Sequence, residues 1–263
     1  MRHVRGWLSL GLVAITAFVL CLNALAQASG QAGLSGRSPV GVLLLRGQHP
    51  FCTASIVNSL RGNLIITAAH CLGRKLASTL MFAPYYDDAS APLGEWQVTG
   101  QVFPPGWFHG DVNQDFAFLI VRGDVQARAG AESLGFSLPV PASVRVEAYS
   151  LVGRLTICER RPGVIAVAGQ HQLSFACPGY AKASSGGPFL TDINQQSGLG
   201  TIVGVIGGYQ HGGSTSSLSY SSPFGGVLHK LYGSMTRVNA DPGSEGLAAL
   251  LATMGGNLAR HDR

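Results

Sequence analysis

Short apolar runs, each ended by glycine, proline or a polar cluster, recur along this chain and constrain it to a β architecture. Val40–Leu45, Thr53–Val57, Leu64–Thr67, Trp96–Val102 and Phe116–Val121 form a first series. Val144–Tyr149, Leu155–Cys158, Val164–Val167, Leu173–Cys177, Pro188–Leu190, Ile202–Ile206 and Ser217–Tyr220 form a second. A helix shows its apolar residues at a 3.6-residue period over a long window, whereas runs this short, bounded by turn formers, read as strands. Thirty-six glycines supply the turns. Strand following strand without intervening helices gives barrels or a sandwich, not an α/β sheet. Between the two series, residues 127–142 turn to Ala, Gly, Ser and two prolines and read as the connection between lobes. The expected organisation is a first lobe over 38–126, a second over 143–223 and a helix over 224–238. Val227, Leu228 and Leu231 lie on one side of that helix. A tail over 239–263 follows, with a short helix at Leu247–Met254 and a mobile end.

The amino terminus has its own pattern. Arg2 and Arg5 precede an apolar run from Trp7 to Leu22, and Ala24-Leu-Ala26 offers small residues for cleavage. That is the layout of a secretory signal peptide over 1–26, followed by a flexible leader or short pro-segment over 27–37. Export with release from the membrane is the expectation, and the length of the run leaves an uncleaved anchor as the alternative. Cys21 follows Phe-Val-Leu, without the small residue of a lipoprotein signal. The four cysteines beyond it, Cys52, Cys71, Cys158 and Cys177, are an even set in an oxidising compartment and read as two disulfides. Three connectivities exist; neighbour pairing is preferred because each pair flanks one hairpin. Each bridge would contribute roughly 3 kcal/mol in the loop-entropy model.

A formal charge of +5 is spread thinly. Arg74-Lys75 and Arg160-Arg161 are the adjacent basic pairs, with no aromatic interleaving, so nucleic-acid binding is not indicated. His109 and Asp111 sit two apart in a turn, and the cysteine spacings are too wide for zinc, so no metal site is read. No metal or organic cofactor is called for, and a monomer acting on a protein or peptide substrate is expected.

The chemistry lies in three places. Thr67-Ala-Ala-His-Cys71 puts His70 at the end of an apolar strand, between two small residues and a cysteine. Asp115 heads the apolar run Phe116–Val121, which could carry it to the interface between lobes, where a desolvated carboxylate needs the imidazole N–H as a partner. Ser185 lies in Ala183-Ser-Ser-Gly-Gly-Pro188, where glycines let the backbone turn sharply and a substrate carbonyl approach. A serine hydroxyl becomes a nucleophile when a histidine takes its proton and a carboxylate holds the ring in the useful tautomer. The backbone N–H groups of Ala183 and Ser185 would then face the developing oxyanion.

Together these segments resemble the trypsin/chymotrypsin-like serine peptidases, and their spacing resembles the compact bacterial branch. Thr67–Cys71 matches the segment around that family's base, with Cys52 at its usual disulfide partner. Asp115 matches the aspartate strand, and Ser185-Gly-Gly-Pro188 the nucleophile turn. The resemblance covers about residues 38 to 238 and implies an all-β fold of two six-stranded antiparallel barrels with a C-terminal helix. It implies His70, Asp115 and Ser185 as the catalytic groups of a secreted serine endopeptidase working through an acyl-enzyme. Gly179, Gly207 and Gly208 fall at positions flanking the specificity pocket. Gly179 in place of an acidic residue disfavours cleavage after Lys or Arg and points to a small or medium uncharged side chain. Lys182 and His211 at the rim offer an acidic one instead.

The chain departs from the family's pattern at Ser184, usually aspartate in the animal enzymes, at Ala183, usually glycine, and at Gly207, often serine beside the buried aspartate. A non-catalytic binding module that keeps the fold is therefore one alternative. An esterase or lipase of the α/β-hydrolase type is another, since Ala183-Ser-Ser-Gly-Gly is a near miss of Gly-x-Ser-x-Gly and His211 or His229 follows it.

Overall fold

The computed structural model describes residues 36–180 and 182–240. The leader, Leu247–Met254 and the rest of the tail lie outside the described residues. β1 (Val40–Leu45), β2 (Pro50–Val57), β3 (Leu64–Thr67), β4 (Leu80–Pro84), β5 (Trp96–Val102) and β6 (Ala117–Val121) close a barrel in the order β1-β2-β3-β6-β5-β4. Every ladder in it is antiparallel. The sequence missed β4, whose Leu-Met-Phe-Ala-Pro has no β-branched residue and carries a proline.

The second unit is built from β8 (Val144–Tyr149), β9 (Leu155–Arg160), β10 (Gly163–Val167), β11 (Gln170–Ala176), β12 (Pro188–Thr191), β13 (Thr201–Val205) and β14 (Leu218–Ser221). Its ladders form a five-stranded sheet, which includes the two-residue β7 (Ser133–Leu134), and a three-stranded sheet. Only Arg161 and Pro162 separate β9, paired with β8, from β10, paired with β11. Proline cannot continue a ladder, so one strand turns the corner there and serves both sheets. A bridge between Ile206 and Ser221 joins the sheets at the opposite corner, which completes a second six-stranded barrel.

Both disulfides have the neighbour pairing, Cys52–Cys71 and Cys158–Cys177. The first spans the β2–β3 hairpin as expected. The second crosses the Pro162 corner, from β9 to the residue after β11, and so ties the two sheets together.

Apart from Thr67 at the end of β3, β3 and β6 are apolar at every position because both of their faces are buried. Ile65, Ala117, Leu119 and Val121 point into the first barrel, while Leu64, Ile66, Phe118 and Ile120 point out, into a cluster shared with Leu190, Ile202 and Val205 of the second. Leu228, Leu231 and Met235 enter that cluster from the C-terminal helix, which runs over Gly226–Ala240, and Phe224 enters it from the segment just before the helix. Residues 127–142, read as a plain connection, hold the end of a short helix, Gln126–Ala129, and β7. Glu132 exchanges backbone hydrogen bonds with the first barrel (Asn58 N–H to Glu132 O, 2.9 Å; Glu132 N–H to Ile56 O, 2.9 Å). β7 then pairs in parallel with β13 of the second barrel, so the connection is a seam between them.

Candidate active site

His70 lies on a one-turn helix, α1 (Ala69–Leu72), that follows β3 directly and is anchored at Cys71 by the disulfide to β2. Asp115 ends the 3-10 turn Val112–Gln114 and leads into β6, the neighbour of β3, so adjacent strands deliver the two side chains to one place. Asp115 is fully buried. Its Oδ1 accepts from the backbone N–H of His70 at 2.9 Å, and its Oδ2 lies 2.7 Å from His70 Nδ1 and accepts from Gly208 N–H at 2.8 Å. A carboxylate only accepts, so the ring donates from Nδ1 and is left with Nε2 as its basic nitrogen.

Gly207 lies so close that an added Cβ would stand 2.9 Å from the Asp115 carbonyl oxygen and 3.3 Å from the Ala68 Cβ. The expected loss of a serine hydroxyl at Gly207 is thus made good by the N–H of the next residue. Asp111, the other carboxylate of this segment, is a turn residue that accepts from Asn113 N–H and Gln114 Nε2. Among the described residues no cluster of three or more His, Cys, Asp or Glu is placed to hold a metal ion.

Ser185 is half-buried on the turn before β12. Gly186, at φ +84°, brings that turn against the first barrel: a Cβ there would stand 2.1 Å from the Thr53 carbonyl oxygen and 2.2 Å from Thr67 Oγ1. The turn is held by Gly186 N–H to Ile206 O (2.8 Å), Gly187 N–H to Ser184 O (3.0 Å) and Thr53 N–H to Ser185 O (2.8 Å). The Ser185 hydroxyl makes no hydrogen bond to His70 in this rotamer, a looseness common in substrate-free sites. Among the described residues, neither the Ala183 nor the Ser185 N–H donates to the protein. Ala183 is at φ +78°, the left-handed region that explains the family's preference for glycine.

A cavity of about 280 Å³ opens beside Ser185, lined by Lys182, His211 and the hydroxyl residues Ser214, Thr215, Ser216 and Ser219 among others. The His211 ring lies 5.1 Å from that of His70, at 44°. Gln210 and His211, at φ +52° and +54°, are carried there by a glycine-rich loop. Buried Gln172 steadies the loop by accepting from Tyr209 N–H and donating to Asn113. Gly179, Gly207 and Gly208, the expected pocket glycines, do not line this cavity. Gly207 and Gly208 back onto Asp115, and the closest neighbour of a Cβ at Gly179 would be Thr156. Ser185 leads into strand β12 rather than a helix, with no parallel α/β sheet around it, which removes the α/β-hydrolase alternative.

The architecture has known counterparts. The chain has the chymotrypsin-like two-barrel fold. It superposes on the protease Anisep from Arthrobacter nicotinovorans with a TM-score of 0.64 and 22% identity, covering 77% of this chain and 99% of that one. A thermostable serine protease, AL20, from an extremophilic microorganism gives 0.64 and 22% over 76% of this chain and 98% of the other. A Glu endopeptidase gives 0.58 and 18% over 76% and 91%. No protein-family model and no curated protein sequence matches the chain. At these identities the likeness establishes the fold, and the function rests on the site.

Proposed function

We propose that this chain is a secreted serine endopeptidase in which Ser185, His70 and Asp115 act as nucleophile, base and orienting carboxylate. The observation that carries the reading is the wholly buried Asp115, which holds both the ring and the backbone of His70. Nε2 of His70 takes the Ser185 proton as Oγ attacks the peptide carbonyl. The N–H groups of Ala183 and Ser185, which have no acceptor among the described residues, receive the oxyanion. Collapse expels the amine with the proton from His70, and water releases the acyl group with His70 again as base. Two disulfides and the leader-like amino terminus support an extracellular setting. Fluorophosphonate labelling with the adduct located by mass spectrometry tests the reading. An adduct on Ser185, lost in His70→Ala, supports it. A folded protein that takes no label is a binding module on a peptidase fold.

The cavity favours a substrate side chain ending in a carboxylate over the small uncharged one expected from sequence. Lys182 and His211 are the basic groups in its lining, with no carboxylate among the described ones. One fold neighbour is itself named a Glu endopeptidase. Matched peptides with Glu, Ala or Lys before the scissile bond should be cleaved in that order, and preference for Ala or Lys would refute it.

A further inference from the structure

Thr53 on β2 is completely buried and has no part in the reaction described above. Four hydrogen bonds pass through it. Its N–H donates to Ser185 O at 2.8 Å, and its carbonyl accepts from Thr67 Oγ1 at 2.7 Å. Its hydroxyl accepts from Tyr149 N–H at 2.9 Å and lies 3.0 Å from Ala183 O. A hydroxyl has a single hydrogen, and the Tyr149 N–H occupies a lone pair, so that hydrogen is committed to Ala183. One residue of the first barrel therefore holds both carbonyls that bracket Ser184, and braces them against β8 of the second barrel.

The carbonyl of Ala183 is the informative one. An L-residue at φ +78° is disfavoured, and the nearest relief is a return to negative φ. That rotation turns the two peptide planes that meet at Ala183 relative to one another, the Ala183–Ser184 plane whose carbonyl Thr53 holds and the Lys182–Ala183 plane that carries the N–H. It takes the N–H away from the place where an oxyanion would form. Such a conformation persists only where its surroundings over-determine it. Among the described residues, the Thr53 hydroxyl is the one hydrogen-bond partner of the Ala183 peptide groups. We propose that Thr53 is a positioning residue for the oxyanion site: by fixing the Ala183 carbonyl, its hydroxyl keeps this alanine at positive φ and its N–H in place. The family's glycine would hold that conformation without help; here a threonine across the barrel interface does it. The proposal rests on the reading of Ser185 and Ala183 as an acyl-transfer site.

The test compares wild type with Thr53→Val, which keeps the shape and removes the donor, Thr53→Ser, which keeps the donor, and Thr53→Val combined with Ala183→Gly. The readout is inactivation by a fluorophosphonate, in which the Ser185 Oγ–P bond forms, the proton passes to His70 and fluoride leaves. The limiting rate and the half-saturating concentration are measured separately. Thr53→Val should lower the limiting rate by about tenfold to a hundredfold, as a displaced transition-state donor does, with the half-saturating concentration changed less than about threefold. Thr53→Ser should stay within about threefold of wild type, and Ala183→Gly should restore much of the loss, since glycine is at ease at positive φ. A purely structural role would lower the melting temperature without this split or this rescue. Equal rates for the Val and Ser variants, or a Val variant within about threefold of wild type, would overturn the proposal. Should the Val variant not fold, Thr53→Ala carries the same comparison. If wild type itself takes no label, the peptidase reading falls, and the crystal structure of Thr53→Val decides the clamp separately. Ala183 leaving positive φ supports it, and Ala183 staying there overturns it.

Discussion

Gly186 shows how a single position governs whether the site can assemble. Its φ of +84° and its contact with the Thr53 carbonyl and Thr67 hydroxyl leave no room for a Cβ, and two of the three obstructing atoms are backbone. Gly186→Ala should therefore push the Ser185 turn off the first barrel, destabilising the protein by on the order of 3 kcal/mol. The folded fraction should take a fluorophosphonate about a hundredfold more slowly, because displacements of an ångström at a reacting centre have costs of that size. Urea denaturation and labelling kinetics on the same preparation check both halves, and an unchanged labelling rate would contradict the close approach. At this scale Ser185, His70 and Asp115 were legible because each lies in a short motif of distinctive composition. Thr53 was not, because nothing in Cys52-Thr-Ala-Ser55 shows that its hydroxyl meets a turn 130 residues away.

At the scale of elements, the helix that carries His70 is only four residues long, too short to hold itself. What fixes it is the bond from Cys71 to Cys52 on β2, together with the Asp115 carboxylate on the His70 N–H. Replacing both cysteines by alanine should cost roughly 3 kcal/mol of stability. It should also slow labelling of Ser185 under conditions where circular dichroism still reports a folded chain. Full labelling activity in that double variant would mean that Asp115 alone positions the base. The paired strand series was readable from sequence as alternating turns and apolar runs. The Pro162 corner was not, since residues on either side of a bend look the same whether the strand continues in one sheet or passes to another.

Across the whole molecule, the two barrels are joined by a seam that contains a buried acid. Glu132 is fully enclosed, with Oε2 accepting from Gly200 N–H and Oε1 without a hydrogen-bond partner among the described residues. Burial pushes its carboxyl up from the ordinary 4.5 to about 8, with the nearby Glu147 adding to the rise. Between those values the folded protein holds a proton that the unfolded chain has released. The corresponding stability is complete below the lower value and is lost as pH rises through the upper one. Thermal denaturation should therefore show wild type weakening from about pH 5 to pH 8, and Glu132→Gln with a flatter profile. Above pH 8 the variant should be the more stable by a few kcal/mol, on the order of 1.4 for each unit of displacement. Identical slopes would show that the seam does not keep its proton. Glu147, raised for the same reason of burial but bonded to Ser38, keeps its own part of the slope in both proteins.

By itself the sequence determined what is local: a chain of short strands, two lobes with a helix after them, a preference for neighbour pairing of the cysteines, and the three motifs that carry candidate chemistry. These follow from the period of apolar residues and from turn-forming composition, which act over a few residues. Only the tertiary structure decided which backbone groups meet. It put Gly208 N–H where a serine hydroxyl was missed, left Gly179, Gly207 and Gly208 out of the lining of the cavity beside Lys182 and His211, and placed Thr53 on Ala183. Such contacts depend on the closure of two barrels on one another, and hydrogen bonds between strands far apart in the chain leave no periodic mark on the residues that make them.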